Sequence, residues 1–480
     1  MRKLIMGYLP ANAVPALVAI GMVIVYTRLL SPAEFGIYNF GFTATIIMQA
    51  SLFYALNLGV MRFYPGALRD GAGEVFLHTA YRGLAIMTLC VLILAGIALL
   101  FVHEYRGMIL LLVPLILLRA AVAINQSVNR STTRVIRYNV IECAQAAIGF
   151  AIGVVLVVVR GPTAENALLG MIVGSTVTLL GDAREFFSPF LRGHYDGRLM
   201  REVLKYSAPL AFAYLLSSSL QFADRFVVGI LAGARSLGIY AVAVSLVERP
   251  TTLISVWITT ATFPAAIDAL EHGGREQGRR QAGQNAAILL SLIVPACVGM
   301  ALTAKHVSNV LVGVEFREGT AQLLPIIAIA ALFRNIAAHI IDHSFHMSRR
   351  SDLMLTSYGV AAAANIALDF LLVPYFGMFG AAWASVSSLG LLVLLGGVLA
   401  HRNFPLWVPP GEVARILCAS AVMAVALIVM PVPENWIGLV LLIAGGALTY
   451  GVIAVVVDLA GVRGALQRRF RQRVAVSAES

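Results

Sequence analysis

Residues 29–40 read LLSPAEFGIYNF, and residues 231–242 read LAGARSLGIYAV. Leu29, Gly36, Ile37 and Tyr38 fall on Leu231, Gly238, Ile239 and Tyr240 at a constant offset of 202. Each stretch separates two long apolar runs, and the first carries a turn signal in Ser31-Pro32 followed by Gly36. A chain that makes one turn twice is expected to contain two copies of one unit. What lies between the copies decides how those units are related.

Of the 480 residues 59% are hydrophobic and 12% charged, with a mean hydropathy of +0.86. That is too little polar surface for a water-soluble chain of this size. Apolar runs of about 20 residues, the length a helix needs to cross a bilayer, recur along the sequence. Lipid cannot satisfy a backbone, and the alternation of a membrane barrel is absent, so the runs are expected to be helices. The fold class expected is all-α, a polytopic membrane protein of about fourteen transmembrane helices. The spans lie near 8–28, 37–60, 82–102, 107–126, 139–159, 164–183, 206–232, 237–263, 284–304, 320–341, 354–373, 378–400, 412–431 and 435–458. The N-terminus has basic residues before its apolar run, as a signal peptide does, but that run continues through Tyr26 without a cleavage site. A retained first helix is expected.

The turns link spans 1 and 2 and spans 7 and 8, so an even number of spans separates them and both copies have one orientation. Two pseudo-symmetric six-helix lobes related by an axis along the membrane normal follow. Their expected bounds are 1–205 and 206–400, with 401–480 adding two helices and a basic tail. Spans 4 and 10 repeat a second feature, one mid-membrane arginine each: Arg119 in VPLILLRAAVAINQS and Arg334 in AIAALFRNIAAHIIDHS. Their offset is 215, so an insertion lies between.

The net charge is +11 and the pI near 9.7. With the N-terminus cytoplasmic, one set of connections holds 25 of the Lys and Arg residues and the opposite set only 6. The rich set runs from Arg2 and Lys3 through Arg62, Arg130, Arg198 and Arg279 to the tail Arg463–Arg473; the poor set includes Arg28, Arg160 and Arg235. This bias places both termini inside and explains the basic pI without a nucleic-acid partner. The tail is expected to touch anionic lipid. Cys90, Cys143, Cys297 and Cys418 lie singly in apolar runs and share no metal or redox spacing.

Charges inside spans are expensive and mark candidate sites. They are Arg119, Asp224, Arg225, Glu248, Arg249, Arg334 and Asp369, with Glu142, Asp182, Asp342 and Asp458 nearer span ends. In span 8, YAVAVSLVERPTTLISVWITT, Ser245, Glu248, Thr252, Ser255 and Thr259 recur at spacings of 3, 4, 3 and 4, along one helical face. Ser217, Gln221 and Asp224 do the same in span 7. Such stripes line a hydrated cavity or bond to a neighbouring polar helix. Pro15, Pro209 and Pro250 are placed to bend spans 1, 7 and 8. Arg119 and Arg334 suit either an anionic ligand or a structural ion pair, with Asp369 a partner for Arg334. His339, His343 and His346 cluster with Asp342 and read as a solvated group rather than a metal site. No Walker A, placed GxGxxG, HExxH or Ser/His/Asp set occurs. Neither enzymatic chemistry nor a cofactor is expected, and transport would not be driven by ATP bound to this chain.

LLSPAEFGIYNF, ADRFVVGILAGARSLGIYAVAVSL (223–246) and NIALDFLLVPYFGMFGAAWAS (365–385) together resemble polysaccharide transporter proteins. These are O-antigen and exopolysaccharide flippases of the superfamily that also holds the MATE drug exporters and the lipid II flippase. The resemblance runs in order over most of the chain and is weakest after residue 400. It implies MATE-like lobes around a central cavity, alternating access, and transfer of a polyprenyl-diphosphate-linked oligosaccharide to the outer leaflet of a bacterial inner membrane. By helix placement it carries diphosphate binding to Arg28, Arg225 and Arg249, with Arg119 and Arg334 as further cations. An anion in a low-dielectric cavity needs such donors, and Arg gives bidentate contacts. If H+ or Na+ is coupled, Asp224, Glu248 and Asp369 are the candidate carriers. Expected partners are the lipid-linked substrate, membrane lipids and polysaccharide polymerase or export machinery. The alternatives are a MATE-type exporter of organic cations and a membrane glycosyltransferase or polymerase.

Overall fold

The computed structural model describes residues 7, 9–101, 106–183, 194–406 and 408–459. Arg2, Lys3, Arg184, Arg192 and the basic tail lie outside the described residues, and with them the expected lipid contact of the tail. Among the described residues every regular element is helical, and fourteen helices are long enough to span a membrane. They are α1 Leu9–Leu29, α2 Pro32–Arg69, α3 Gly73–Phe101, α4 Arg106–Ser131, α5 Val135–Arg160, α6 Ala164–Gly181 and α7 Gly197–Leu231. A 70-residue helical run, Gly233–Leu302, breaks at Gly274 into α8 and α9. α10 Val314–Ser348, α11 Ser351–Phe376, α12 Met378–Asn403, α13 Pro410–Val429 and α14 Trp436–Val456 complete the set, with a short helix, Ala304–Leu311, before α10.

Local chemistry explains the breaks. Gly274 sits at φ 79°, ψ −178°, a conformation open to glycine and closed to residues with a Cβ. The quoted turn is built residue by residue. The Ser31 hydroxyl accepts the Glu34 N–H at 3.3 Å and Pro32 opens α2, the usual N-terminal arrangement. Glu34 Oε2 then accepts the Ala164 N–H at 2.6 Å, so the first turn of α2 also caps α6. Asp196 caps α7 through the N–H groups of Arg198 and Leu199 at 2.8 and 3.1 Å. Those two bonds, Leu199 first, hold its carboxyl below the usual carboxylate range.

The chain divides into two compact units, residues 1–241 and 242–480. In the first, Phe53, Leu56, Tyr81, Ile124 and Val203 of α2, α3, α4 and α7 share one core. α5 and α6 meet through glycines: a methyl on Gly174 would lie 2.8 Å from the Gly149 Cα, and Gly170 faces Gly153 as closely. Small residues of this kind let helices approach in lipid, where apolar burial gives no drive.

The two copies of the repeated turn meet inside this first unit. A methyl on Gly36 would collide with the Ala234 carbonyl and lie 3.0 Å from the Gly238 nitrogen. A methyl on Gly238 would collide with the Pro32 carbonyl and lie 3.1 Å from the Gly36 nitrogen. Pro32 and Ala234 are themselves related by the offset of 202, so the contact is reciprocal. In the second unit, α13 and α14 pack on α9, where the Tyr450 hydroxyl donates to the Ser291 carbonyl at 2.6 Å.

Candidate functional site

The first unit gathers three of the candidate arginines. Arg28 is exposed at the end of α1 and donates to the Ile24 carbonyl at 2.9 Å. Arg119, half-buried on α4, lies 5.9 Å from the centre of the Phe42 ring, with Glu142 as a neighbouring charge. Glu142 in turn accepts from Gln126 at 3.1 Å. Arg225 is buried on α7 and its guanidinium lies over Phe222 at 4.8 Å. Asp224 beside it is buried too: one carboxylate oxygen accepts the Arg225 N–H at 2.8 Å and the other accepts the Tyr240 hydroxyl. Asp224 is therefore held by the tyrosine of the second copy of the turn. Ser217 and Gln221 are half-buried on the same face of α7.

In the second unit the polar stripe of α8 is satisfied chiefly by α10. Glu248 Oε1 and Arg334 Nε stand 3.0 Å apart, an ion pair by distance whose N–H does not point along a hydrogen-bond line. Two turns along α8 from Glu248, the Ser255 hydroxyl donates to the Asn335 side-chain oxygen at 2.6 Å. Adjacent residues of α10 thus reach the same face of α8. Arg334, for which Asp369 was the expected partner, stands against Glu248 of α8, and α10 and α11 each pack on α12. Ser245 is half-buried on that stripe, and Arg249 and Thr252 are exposed.

Asp369 is fully buried on α11, and Asn365 one turn before it is 1% exposed, its amide without a hydrogen-bond partner among the described residues. Asn365 was not singled out by the sequence, because a neutral amide adds no charge to an apolar run. Its spacing of four from Asp369 within NIALD was the available signal. Of the histidine cluster, His343 stacks on Phe263 at 4.1 Å and His339 stands edge-on to it at 6.4 Å. Asp342 accepts the Tyr358 hydroxyl at 2.9 Å. Among the described residues no three His, Cys, Asp or Glu side chains converge on a metal position.

Known proteins resemble this chain in sequence and in fold. A family model described as "Polysaccharide biosynthesis protein" matches residues 25–320. A curated relative, "Probable flippase AglR" of Haloferax volcanii, is 25% identical over 275 residues, which cover 53% of this chain and 52% of the relative. The chain therefore spans about half the length of that relative. The solved structure of the lipid II flippase MurJ in an inward closed conformation matches with a TM-score of 0.75 at 15% identity, over 93% of this chain and 98% of that one. An inward-facing multidrug resistance MATE family transporter of the MOP superfamily gives 0.59 at 14% identity, over 84% and 94%. At these identities the likeness to the solved structures is one of fold.

Proposed function

The chain belongs to the polysaccharide biosynthesis protein family, and from that premise we propose that it is a flippase for a polyprenyl-diphosphate-linked oligosaccharide. An O-antigen or exopolysaccharide repeat unit would cross the inner membrane of a bacterium by alternating access between two six-helix lobes, 1–205 and 206–400. The observation that carries this reading is the charge inventory of the spans. Glu248 stands against Arg334, and Asp224 is bonded to Tyr240 and to a backbone N–H. Two of the acids an organic cation would need are thus engaged, and Arg249 lies exposed on α8 beside Pro250. A diphosphate suits arginine, whose planar fork bonds two phosphate oxygens at once. Arg249, Arg225 and Arg28 are assigned to the diphosphate, with Arg119 in reserve; Arg334 serves it only by neutralising Glu248. Both termini would lie in the cytoplasm, and the polymerase or export machinery would receive the product.

If a cation is coupled, Asn365 and Asp369 are its best-placed ligands. Both are buried, one turn apart, and both offer oxygens of the kind that hard cations take.

The test is reconstitution in proteoliposomes with a fluorescent undecaprenyl-diphosphate oligosaccharide, reading leaflet exchange with an impermeant quencher. Wild type should exceed empty vesicles, and Arg249→Ala should lower the exchange rate by about tenfold or more, the scale of one lost charge-assisted contact. Exchange that survives both Arg249→Ala and Arg225→Ala keeps the function and discards the site. No exchange by folded protein under an imposed potential or ion gradient sinks the reading in favour of a cation exporter.

A further inference from the structure

α2 and α7 carry a feature that the diphosphate reading leaves unused. The rings of Tyr54 and Tyr214 stack at 3.9 Å with 17° between their planes. Nearby on the same two helices, Phe63 and Tyr206 meet edge to face at 5.4 Å. Tyr214 is 41% exposed and Tyr206 44%. None of the hydroxyls of Tyr54, Tyr206 and Tyr214 has a hydrogen-bond partner among the described residues. Arg130, exposed at the end of α4, acts electrostatically on Tyr54 and lies 5.7 Å from the Tyr138 ring. Its guanidinium makes no ion pair or side-chain hydrogen bond among the described residues.

Two placements separate this surface from ordinary lipid-facing helix. Tyr206, Leu210, Tyr214, Ser217 and Gln221 recur at spacings of 4, 4, 3 and 4, so the exposed tyrosines continue the polar stripe of α7 along one face. On α2, a π-helical turn over Gln49–Phe53 comes immediately before Tyr54. Such a turn inserts one extra residue and re-aims every side chain after it, which is why π-bulges gather at functional positions. Tyr54 also lies about 33 Å along α2 from Pro32, past its midpoint, towards the end assigned to the cytoplasm.

We propose that the Tyr54–Tyr214 ring pair, with Arg130 beside it, is a saccharide-binding platform. The proposal rests on the flippase reading and names the part of the substrate this surface takes. A pyranose ring has an apolar C–H face, weakly positive, rimmed by hydroxyls. The negative face of an aromatic ring meets the C–H face. Free phenol hydroxyls and a five-donor guanidinium meet the rim. An acyl chain would use the rings and leave every one of those donors unsatisfied. The platform takes the first sugars of the headgroup on the cytoplasmic side while the arginines of the spans take the diphosphate.

The experiment compares two fluorescent lipids in the same proteoliposomes, undecaprenyl diphosphate bearing a disaccharide and undecaprenyl diphosphate alone. The quantity read is the ratio of their exchange rates. The double variant Tyr54→Ala, Tyr214→Ala should lower that ratio about tenfold, and Arg130→Gln should lower it in the same direction. Tyr54→Phe with Tyr214→Phe keeps the stack and should lower it less. Size-exclusion profile and melting temperature establish that each variant is folded. A wild type that moves both lipids, with the alanine variant slowing both equally or neither, overturns the platform and leaves the flippase standing. Equal slowing would mark the tyrosines as anchors at the membrane interface. A wild type that moves neither lipid overturns both.

Discussion

Tyr38 and Tyr240 hold the same place in the two turns and show how one position acquires two roles. Both are buried, at 5% and 1% exposure, and a buried phenol requires a partner. Tyr38 donates to the Met171 sulfur at 3.6 Å, a weak acceptor; Tyr240 donates to the carboxylate of Asp224. Tyr240→Phe should therefore lower stability more than Tyr38→Phe, since it strips a buried carboxylate of a donor, and paired melting curves would read the difference. Glu248 and Arg334 make a sharper case. Removing one member of a low-exposure pair takes a counter-charge from the other, at a cost of up to about 3–5 kcal/mol. Glu248→Ala and Arg334→Ala should each lower the melting temperature in detergent, and the double variant should sit above the sum of the two losses. Strict additivity would mean that the pair carries no coupling. The sequence exposed these residues, because a charge in an apolar run is conspicuous. It hid their partners, because pairing depends on which helix faces which: α10 turns Arg334 towards α8, and nothing in either span's composition says so.

At the scale of the element, the spans were legible and their ends were not. α2 runs to Arg69, α3 begins at Gly73 and α7 at Gly197, where apolarity alone suggested 60, 82 and 206. Helices continue past the bilayer on charged, amphipathic turns, and a reading by hydropathy clips them there. The connection after α8 is likewise helical on both sides of Gly274, although its glycines and arginines read as a loop. The π turns at Gln49–Phe53 and Ala337–Ile341 have no sequence signature and went unseen. The glycines of α2 give a clean comparison. Gly36 is pressed against the backbone of Ala234, whereas a methyl on Gly66 would meet nothing within 4 Å. Gly66→Ala should be neutral or stabilise by up to about 1 kcal/mol, the helix-propensity gain. Gly36→Ala should lower both the yield of folded protein and its melting temperature. Equal melting temperatures for the two variants would mean that the turns separate at no cost.

For the whole molecule, charge asymmetry is the governing property. The Lys and Arg bias predicts that cysteines placed near Arg62 and Arg198 are labelled from the cytoplasm and one near Arg160 from outside; the reverse pattern would invert the topology. An anionic substrate leaving a negative interior gains about 2.3 kcal/mol per charge for each 100 mV fully crossed. A potassium diffusion potential, negative inside, should thus speed outward exchange of the diphosphate lipid, and reversing it should slow it; a cation exporter would respond the other way. The reciprocal glycine contact has a consequence of a different kind, in genetics. When a side chain is too large for its pocket, a second mutation can often shrink the neighbour and restore the fit. At Gly36 and Gly238 the neighbour is a peptide backbone, which no codon change makes smaller. A saturation scan should find both positions closed to every other residue, and a selection for second-site revertants of a bulky allele at either one should return glycine alone.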